Sequence, residues 1–378
     1  MRILFLDTKP IRRGAQIFVH ALSDELKNFG VITNRLYLFH HADAIRLPLS
    51  QEDEVLGADD NNWMEKYLTI QPQLLAKLIR RIDQFNPDLI LLNGSKTLKY
   101  GAFAKLFSQK KFSLVYRVID SPKFWNKSTL TQFYYRRLII PKIDAAVGVS
   151  LASLKDMTEL YRFVKPSKVI HRAVNYESFK NCSSKNIHRD QLGLPNDAFV
   201  ILFMGNLTVQ KRPDRFVEII RELYSYNNKI SAIMVGDGPL RVDTEKKIEE
   251  AGLQSVITLF GYQENVGPFI SASDILLLTS DTEGLPGVVP EAGYFNVPTI
   301  AAAVGGVAEC IDNGHSGIII DKNDIQQFVK KAIYLFENPE TRLRMGASAN
   351  KIAINNFDIK SVANSYFEFF NKIVSENN

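Results

Sequence analysis

The carboxylates Glu283 and Glu291 bracket a loop that leads into a helix. Their residue type and spacing indicate a chemical role. Residues 273–279, a short apolar run ahead of them, predict a buried parallel strand. In such sheets, the residues that bind ligands lie at the carboxyl ends of the strands. Loop amides without backbone partners suit phosphate oxygens, and carboxylates suit sugar hydroxyls. The spacing therefore predicts a nucleotide-sugar site; the alternative is an acidic helix entrance that complements the helix dipole.

The residues between these two carboxylates set where the helix begins. Gly284, Pro286 and Gly287 disfavour helix, so the helix is expected to start at Glu291 and to run to Phe295. The amides of the loop before it are the candidate phosphate ligands.

Further motifs follow this loop. The sequence reads Pro-Thr-Ile-Ala-Ala-Ala-x-Gly-Gly-x-x-Glu over residues 298–309 and Asn-Gly-x-x-Gly over residues 313–317. With the Glu spacing, this resembles the donor-site signature of the retaining glycosyltransferases of family four. That signature has a Ser near Glu-Gly-x-Pro, a Glu-Ala pair, Gly-x-Pro-Val and Gly-Gly-x-x-Glu. The resemblance implies the α/β GT-B fold: two Rossmann-like α/β/α domains face a central cleft, and a C-terminal helix crosses back to the N-terminal domain.

The resemblance also implies how the donor diphosphate is bound. An apolar strand over residues 199–204 ends at Gly205 and Asn206, which are expected to line the donor site. The family usually places an Arg and a Lys in this loop to grip the diphosphate. Lys211 matches the Lys, whereas Asn206 replaces the Arg, so the second cation is assigned to Arg212.

For the sugar and the nucleoside, the resemblance implies that Glu283 holds the donor hexose. Glu291 is expected to accept hydrogen bonds from the ribose diol, a geometry that two carboxylate oxygens suit. Tyr262 follows a predicted strand where the family's loop meets the base, and it either stacks on the base or packs in the core. The loop residues expected to hold the hexose and the distal phosphate are Gly284, Leu285, Pro286, Gly287 and Val288.

The first half of the chain opens with a strand over residues 2–7 and a helix after Gly14. Lys9, Arg12 and Arg13 lie beside Gly14, so a phosphate could approach the backbone there while the cations neutralise it. The alternative is a plain turn glycine. The resemblance implies a Gly-rich first loop that faces the donor diphosphate.

Asp120 follows a predicted strand that begins at residue 113, where the family commonly shows a His-Asp-like pair. Ile119 stands in the place of that His, so the histidine's role has no counterpart here. The resemblance implies that Asp120 contacts a hydroxyl in the catalytic site.

The length bounds the domain organisation. A chain of 378 residues is too long for one ordinary core, so two domains are expected. They are residues 1–178 with a C-terminal helix over 359–378, and residues 179–358. Residues 180–195 are predicted to be a polar linker, and the acidic stretch 41–68 a surface excursion.

The cysteines, the apolar runs and one glycine motif argue against several classes of protein. Cys182 and Cys310 show no CxxC or Cys/His pattern, so neither a disulfide framework nor a zinc site is indicated, which suits a reducing cytoplasm. No apolar run has the length of a signal peptide or a spanning helix. Residues 236–239 read Gly-Asp-Gly-Pro and lack the third glycine of a dinucleotide fingerprint, which argues against a dehydrogenase.

The net charge of +5 hides an asymmetry. Residues 1–190 hold 30 Lys and Arg against 18 Asp and Glu, whereas the rest hold 16 against 23. The excess of basic residues in the first half indicates an anionic partner, which could be a phospholipid surface, a lipid-diphosphate acceptor or nucleic acid. The alternative is that the charge serves only solubility. Residues 101–144 mix aromatic residues with Lys and Arg, which indicates peripheral contact with an anionic membrane. For any single aromatic residue there, the core is the favoured place.

The resemblance therefore implies a retaining glycosyltransferase that moves a hexose from a nucleotide-diphosphate sugar, UDP-sugar first and GDP-sugar next, to a hydroxyl acceptor. The acceptor is expected in a cell-surface polysaccharide, a lipopolysaccharide or a lipid-linked glycan precursor, with the enzyme in the cytoplasm or at the inner face of the membrane. No nucleic acid, metal or other cofactor is expected. The alternatives are a same-fold epimerase or phosphorylase and a non-catalytic membrane or nucleic-acid binding module.

Overall fold

The short apolar runs of the sequence form the inner strands of two parallel sheets in a computed structural model of the chain. The structure describes residues 1–11, 14–40, 47, 49–58, 70–174, 176–179 and 184–377. The predictions for Arg12, Arg13 and Cys182 lie outside these residues. The chain divides into two units, Met1–Ala173 with Ile359–Asn378, and Val174–Asp358.

The first unit contains a parallel sheet. Its strands are β1 Arg2–Asp7, β2 Ile32–Phe39, β3 Asp53–Ala58, β4 Leu89–Asn93, β5 Ser113–Val118, β6 Ala145–Gly148 and β7 Ser167–Val169. Their order across the sheet is β3-β2-β1-β4-β5-β6-β7. The central strands β4 and β5 are buried along their whole length, because helices cover both faces of such a sheet.

Helices alternate with these strands. They are α1 Gly14–Lys27, α2 Pro72–Phe85, α3 Ser95–Phe107, α4 Pro122–Trp125, α5 Thr129–Tyr134 and α6 Leu151–Tyr161, with a π-helical turn Tyr135–Ile139 and a 3-10 turn Ile140–Lys142 after α5. The predicted apolar face of α1 is buried, with Phe18, Leu22 and Leu26 in the core.

The second unit repeats this plan. Its strands are β8 Phe199–Met204, β9 Ile230–Val235, β10 Ile257–Gly261, β11 Ile275–Leu278, β12 Thr299–Ala302 and β13 Gly317–Ile320. Their order is β10-β9-β8-β11-β12-β13, with parallel pairing throughout. Its helices are α7 Lys185–Gln191, α8 Pro213–Tyr226, α9 Arg241–Glu250, α10 Gly267–Ala272, α11 Val288–Tyr294, α12 Ile325–Glu337 and α13 Pro339–Phe357.

The last helix, α14 Ile359–Asn377, returns to the first unit, as the resemblance implied. Tyr366 and Phe370 join the core cluster that contains Phe18. The Tyr366 hydroxyl accepts a hydrogen bond of 3.3 Å from the buried guanidinium of Arg117 on β5. The helix therefore completes one face of the first sheet.

Two predictions about the connecting segments are wrong. Most of the surface excursion predicted for residues 41–68 lies outside the described residues, but Asp53–Ala58 within it form β3. Asp53 there accepts two hydrogen bonds, of 2.7 and 3.0 Å, from Arg35 on β2. The predicted linker contains α7, where Lys185 and Arg189 each donate to Asp274 at 2.7 Å. In both segments, charges that indicated a solvated loop are paired with distant partners.

The boundary between the units falls after residue 173, five residues before the boundary at 178 that was predicted from the sequence. Tyr176 lies in the second unit, where its ring stacks on Tyr294 with centroids 4.5 Å apart. Phe179 packs against Phe295 of the same unit. None of the helices in the described part of the chain combines the length and the apolar character that a membrane span requires.

Candidate functional site

β8 and β11 are neighbouring parallel strands, so their carboxyl ends meet at the same edge of the second sheet. The loop after β8 carries Lys211 and leads into α8. The loop after β11 carries Glu283 and leads into α11. The sheet therefore brings together two loops that are far apart in the sequence, at the edge where parallel sheets bind ligands.

Lys211 and Glu283 contact each other. The Lys211 ammonium donates to Oε1 of Glu283 at 2.6 Å, and the Ser280 hydroxyl donates to the same oxygen at 2.6 Å. The Glu283 side chain is 8% exposed and that of Lys211 is 26% exposed. Two residues with separate predicted roles, one toward the diphosphate and one toward the sugar, thus form one ion pair.

The backbones of the two loops are also joined. The Thr279 hydroxyl, at the end of β11, lies 3.1 Å from the carbonyl oxygens of both Lys211 and Arg212 and can donate to either. The Asp281 amide donates to the Gln210 carbonyl at 2.7 Å. The position of Lys211 is therefore held on both sides along the chain.

Arg212 already contacts two carboxylates. It precedes α8 with a φ of 53°, in the left-handed region. Its guanidinium donates to Asp214 at 2.8 to 3.1 Å and to Asp281 at 3.2 Å. The hydrogen bond to Asp214 is the main reason that the pKa of Arg212 is raised, with Asp281 adding to it. A phosphate would share this guanidinium with both carboxylates.

Arg215 is a further residue of this edge, and no sequence motif indicates it. Its side chain is 4% exposed, one Nη donates to the Thr279 carbonyl, and the other donates to Oδ1 of Asp281 at 2.8 Å. An arginine in an amphipathic helix is expected to face water. Its spacing of four and eight residues from the buried Ile219 and Leu223 is the signal that could have revealed it.

The Gly205 loop packs against the turn at Gly236. Gly236 has a φ of 136°, and a Cβ atom there would lie 2.0 Å from the Gly205 carbonyl oxygen. The Gly-Asp-Gly run thus serves a close approach between two backbones. Asn206, which replaces the family's Arg, has an exposed side chain at this edge of the sheet.

The Gly-Gly pair of the downstream motif supports the Glu283 loop. The Gly306 amide donates to the Gly284 carbonyl at 2.9 Å. Gly305, with a φ of 52°, lies so near the Glu283 backbone that no side chain fits there. Two motifs that are separate in the sequence therefore form one structure at the candidate site.

The helix after this loop begins at Val288, so the predicted start at Glu291 is wrong. Pro290 is tolerated because a missing N–H costs little in the first helical turn. The Glu291 amide donates to the Gly287 carbonyl at 3.1 Å, which places Glu291 inside the helix. Leu285 has a buried side chain, so only its backbone is available to a ligand.

Glu291 and Tyr262 are partly accessible. Glu291 is half-buried on α11. Burial, and after it the charge of Glu291, raises the pKa of Tyr176. Tyr262 directly follows β10 and is 37% exposed. Both residues stay candidates for contact with the nucleoside.

Gly14 and Asp120 belong to the first unit and follow the carboxyl ends of β1 and β5. A Cβ atom on Gly14 would lie 2.5 Å from a guanidinium nitrogen of Arg172, so this cation lies against the loop. Asp120 is accessible to solvent, yet enough protein surrounds its carboxyl to raise its pKa by desolvation.

The aromatic and basic stretch over residues 101–144 divides into a core part and a surface part. Phe112 and Tyr135 are buried. Phe107 and Phe133 are 63% and 61% exposed, and Leu130 is 81% exposed. The guanidinium of a neighbouring arginine lies 5.7 Å from the centroid of the Phe133 ring. Some of these aromatics therefore face solvent beside cations.

Among the residues that the structure describes, no group of three His, Cys, Asp or Glu side chains is arranged to hold a metal ion. At the candidate site, Asp281 pairs with Arg212 and Arg215, and Glu283 pairs with Lys211. Asp281 and Glu283 thus both have cationic partners.

Family models match both halves of the chain. Residues 184–352 match Glycosyl transferases group 1, and residues 12–178 match Glycosyltransferase Family 4. The chain belongs to the group 1 glycosyltransferases of family four. The motif at Glu283 and Glu291, on which the resemblance was based, lies inside the first of these matches.

Individual relatives of this family are distant. A stretch of 208 residues is 30% identical to the UDP-Gal:alpha-D-GlcNAc-diphosphoundecaprenol alpha-1,3-galactosyltransferase of Escherichia coli and covers 53% of each chain. A stretch of 232 residues is 24% identical to the N-acetyl-alpha-D-glucosaminyl L-malate synthase of Bacillus anthracis, covering 61% of this chain and 60% of that protein. The chain thus spans about half the length of the curated relatives it matches.

Solved structures of similar proteins establish the fold. Anabaena HepE in complex with UDP has a TM-score of 0.81 at 21% identity, over 98% of this chain and 100% of that one. The sucrose-phosphate synthase of Thermosynechococcus elongatus has a TM-score of 0.84 at 16% identity, over 100% of both chains. The fold is the α/β GT-B fold of this family.

Proposed function

We propose that the protein is a retaining glycosyltransferase that transfers a hexose from a nucleotide-diphosphate sugar to a hydroxyl group of a glycan or lipid-linked acceptor. The observation that carries the proposal is the 2.6 Å ion pair between Lys211 and Glu283 at the carboxyl edge of the second sheet. A held cation beside a held carboxylate suits a ligand that joins a diphosphate to a polyol.

In this proposal Lys211 stabilises the departing diphosphate. Negative charge on the leaving group grows as the bond from the anomeric carbon to the phosphate oxygen breaks. A positioned cation then stabilises the transition state more than the bound donor. The ammonium is partly exposed, so a phosphate oxygen can reach it while Glu283 holds it. Arg212 is the proposed second cation, shared with Asp214 and Asp281.

The remaining residues are proposed to bind the rest of the donor and the acceptor. Glu283 and the backbone of residues 284–288 hold the hexose and the distal phosphate, and Glu291 accepts from the ribose diol. Tyr262 contacts the base, next to the Gly205 and Asn206 loop. In the first unit, Gly14 faces the diphosphate and Asp120 contacts an acceptor hydroxyl.

The proposed donor is a UDP-hexose, with a GDP-hexose as the second choice. The E. coli relative is named for UDP-Gal as donor and for a diphosphoundecaprenol acceptor. A Campylobacter jejuni relative, 25% identical over 67% of this chain, is also named for a PP-undecaprenol acceptor. These names support a UDP-sugar donor and an acceptor carried on a lipid diphosphate.

A lipid-linked acceptor motivates a further part of the proposal, peripheral contact with an anionic membrane at the cytoplasmic face. Its support is the basic first half and the exposed Phe107, Leu130 and Phe133. At about 1 kcal/mol for each Lys or Arg near the surface, about four to six cations would give reversible attachment. Flotation with vesicles tests it: binding should rise with the anionic lipid fraction and fall with salt. Binding indifferent to both would contradict it.

Metal independence is also proposed, because Asp281 and Glu283 pair with cations and Lys211 supplies positive charge to the diphosphate. Activity is measured with excess EDTA and after Mg²⁺ or Mn²⁺ is added back. Turnover is expected to survive chelation. Loss of turnover that either ion restores would contradict this part of the proposal.

A donor screen tests the central assignment. Purified protein is mixed with UDP-glucose, UDP-galactose, UDP-N-acetylglucosamine and GDP-mannose, and its melting temperature and the released nucleotide are measured. One UDP-sugar is expected to raise the melting temperature of wild type, and less so that of Glu291→Ala. An isomerised donor without any acceptor would instead indicate an epimerase, and phosphate-dependent cleavage a phosphorylase. The anomeric configuration of the product, read by NMR, tests retention.

A further inference from the structure

We propose that Arg215 and Asp281 form a positioning pair that holds Lys211 and Glu283 in the arrangement required for sugar transfer, an assignment that rests on the proposed function. Neither residue belongs to the family motif that revealed the site. They are joined by a hydrogen bond of 2.8 Å between a guanidinium Nη and Oδ1. Arg215 lies in the first turn of α8, and Asp281 in the loop after β11.

Arg215 makes this connection from inside the protein. Its side chain is 4% exposed, and its second Nη donates to the carbonyl of Thr279, where β11 ends. It therefore binds the strand end through the backbone and the loop through a carboxylate. A planar guanidinium can make both contacts at once, whereas a lysine ammonium offers a single point of charge.

Asp281 connects in the opposite direction. Its amide donates to the Gln210 carbonyl at 2.7 Å, and its other carboxylate oxygen accepts from Arg212 at 3.2 Å. These partners are the residues on either side of Lys211. Burial would raise the pKa of Asp281, but the hydrogen bonds from Arg215 and Arg212 lower it, so the carboxylate is charged at neutral pH.

The loop beyond Asp281 leads directly to Glu283. On its far side, the backbone is held by the bond from the Gly306 amide to the Gly284 carbonyl. The Glu283 carboxylate therefore lies between two anchors, of which Asp281 is one. Losing the Arg215 contact would loosen this anchor and, through Asp281, its contacts with the two residues that flank Lys211.

The expected consequence is kinetic. Arg215 is too buried to reach a donor, so it acts through the two residues that it positions. A displacement of about 1 Å at reacting groups can lower turnover about a hundredfold. Because the proposed role of Lys211 is greatest in the transition state, kcat should fall more than donor affinity.

The test compares Arg215→Gln, Arg215→Lys and Asp281→Asn with Arg221→Gln, which changes an exposed arginine of the same helix. kcat and the donor KM are measured with the UDP-hexose that the wild type uses best. Amide hydrogen exchange at Asp281 and Gly306 is measured in the same proteins. This second measurement reports the positions of the loops whether or not sugar is transferred.

We expect Arg215→Gln to lower kcat about a hundredfold with the donor KM changed less than about threefold, and Arg215→Lys to recover about tenfold. Exchange at both amides should be faster in Arg215→Gln, and Arg221→Gln should match wild type. A kcat for Arg215→Gln within about twofold of wild type would overturn the inference. So would a rise in KM alone.

If Arg215→Gln does not fold, Asp281→Asn decides, since Asp281 is 32% exposed and its loss disturbs the core less. Its kcat should fall at least about tenfold, and a wild-type kcat would overturn the pair. If wild-type protein consumes no nucleotide sugar, the proposed function fails. Exchange in the folded variants then decides alone: faster exchange supports the pair, and unchanged exchange overturns it.

Discussion

A Cβ atom added to Gly305 would lie 1.6 Å from the carbonyl oxygen of Glu283. The turn over residues 305–306 therefore contacts the Glu283 loop backbone to backbone, and it can do so only without a side chain. The hydrogen bond from Gly306 to Gly284 closes the same contact. The Gly-Gly motif and the Glu-Gly motif of the family are two sides of one structure.

This contact predicts that Gly305→Ala lowers both stability and turnover. The substitution combines left-handed strain with a collision against backbone, at a cost of at least about 2 kcal/mol. Gly252→Ala is the matched control, because Gly252 has a φ of 66° but open space around it. Its cost should be about 1 kcal/mol, with kcat unchanged. Equal melting temperatures and equal kcat for the two variants would show that the contact is unimportant.

Glu291→Ala is predicted to weaken nucleotide binding with little loss of stability. Glu291 is half-buried on α11, and its proposed partner is the ribose diol. A hydrogen bond to a charged group contributes about 1.5 to 3 kcal/mol, so affinity should fall about tenfold to a hundredfold. Calorimetric titration with UDP measures this. Wild-type affinity in the folded variant would remove Glu291 from the site.

Lys211→Ala should reduce turnover about a hundredfold to a thousandfold, and donor affinity much less. Arg212→Ala should have a smaller effect, because that guanidinium is already shared between Asp214 and Asp281. Single-turnover rates separate the chemical step from binding. A Lys211→Ala rate within a few-fold of wild type would contradict its leaving-group role.

The replacement of the family's Arg by Asn206 adds a further outcome to that experiment. If Arg212→Ala is silent and Asn206→Arg raises the rate, the second unit lacks a second cation for the diphosphate.

A pH dependence of stability is predicted at His20, which lies on α1 in the first unit. Burial, and after it the charge of Arg35, lowers the pKa of His20. The unfolded chain therefore takes up a proton below a pH of about 6.5 while the folded protein does not. The stability present above that pH is lost as the pH falls toward the lowered folded pKa.

The measurement is urea unfolding of wild type and His20→Gln at pH values of about 7.5 and about 5.5. The wild type should lose more unfolding free energy between these values than the variant, which has no imidazole to protonate. Other histidines, such as the buried His188, contribute to both proteins and cancel in the difference. Equal losses in the two proteins would contradict the prediction.

The inner strands were predictable because both of their faces are buried, so their sequences are unbroken apolar runs, as in β8 and β11. β3 was not, because Asp53 and Glu54 make its sequence resemble a solvated loop. Their charges are compensated by Arg35 and Arg81, residues that local sequence does not bring near them. Strand formation at this sheet edge depends on partners from β2 and α2.

The residues of the candidate site likewise divide into those that a local motif predicts and those that depend on distant partners. Lys211, Glu283 and Glu291 were found because their spacing matches a family motif. Arg215 and Asp281 were not, because a charged residue in a helix or a polar loop ordinarily faces water. Their pairing depends on the parallel contact between β8 and β11, which brings the two loops together.

UDP formation in the presence of acceptor tests most directly whether the protein transfers a sugar with the help of Lys211. UDP formed from a UDP-hexose is measured with and without a polyprenyl-diphosphate glycan, for wild type and for Lys211→Ala. Acceptor is expected to accelerate UDP formation by the wild type, and the rate is expected to fall at least about a hundredfold in Lys211→Ala. The proposed function would be contradicted if folded wild-type protein neither bound nor consumed any nucleotide sugar. It would also be contradicted if Lys211→Ala had the same turnover as the wild type.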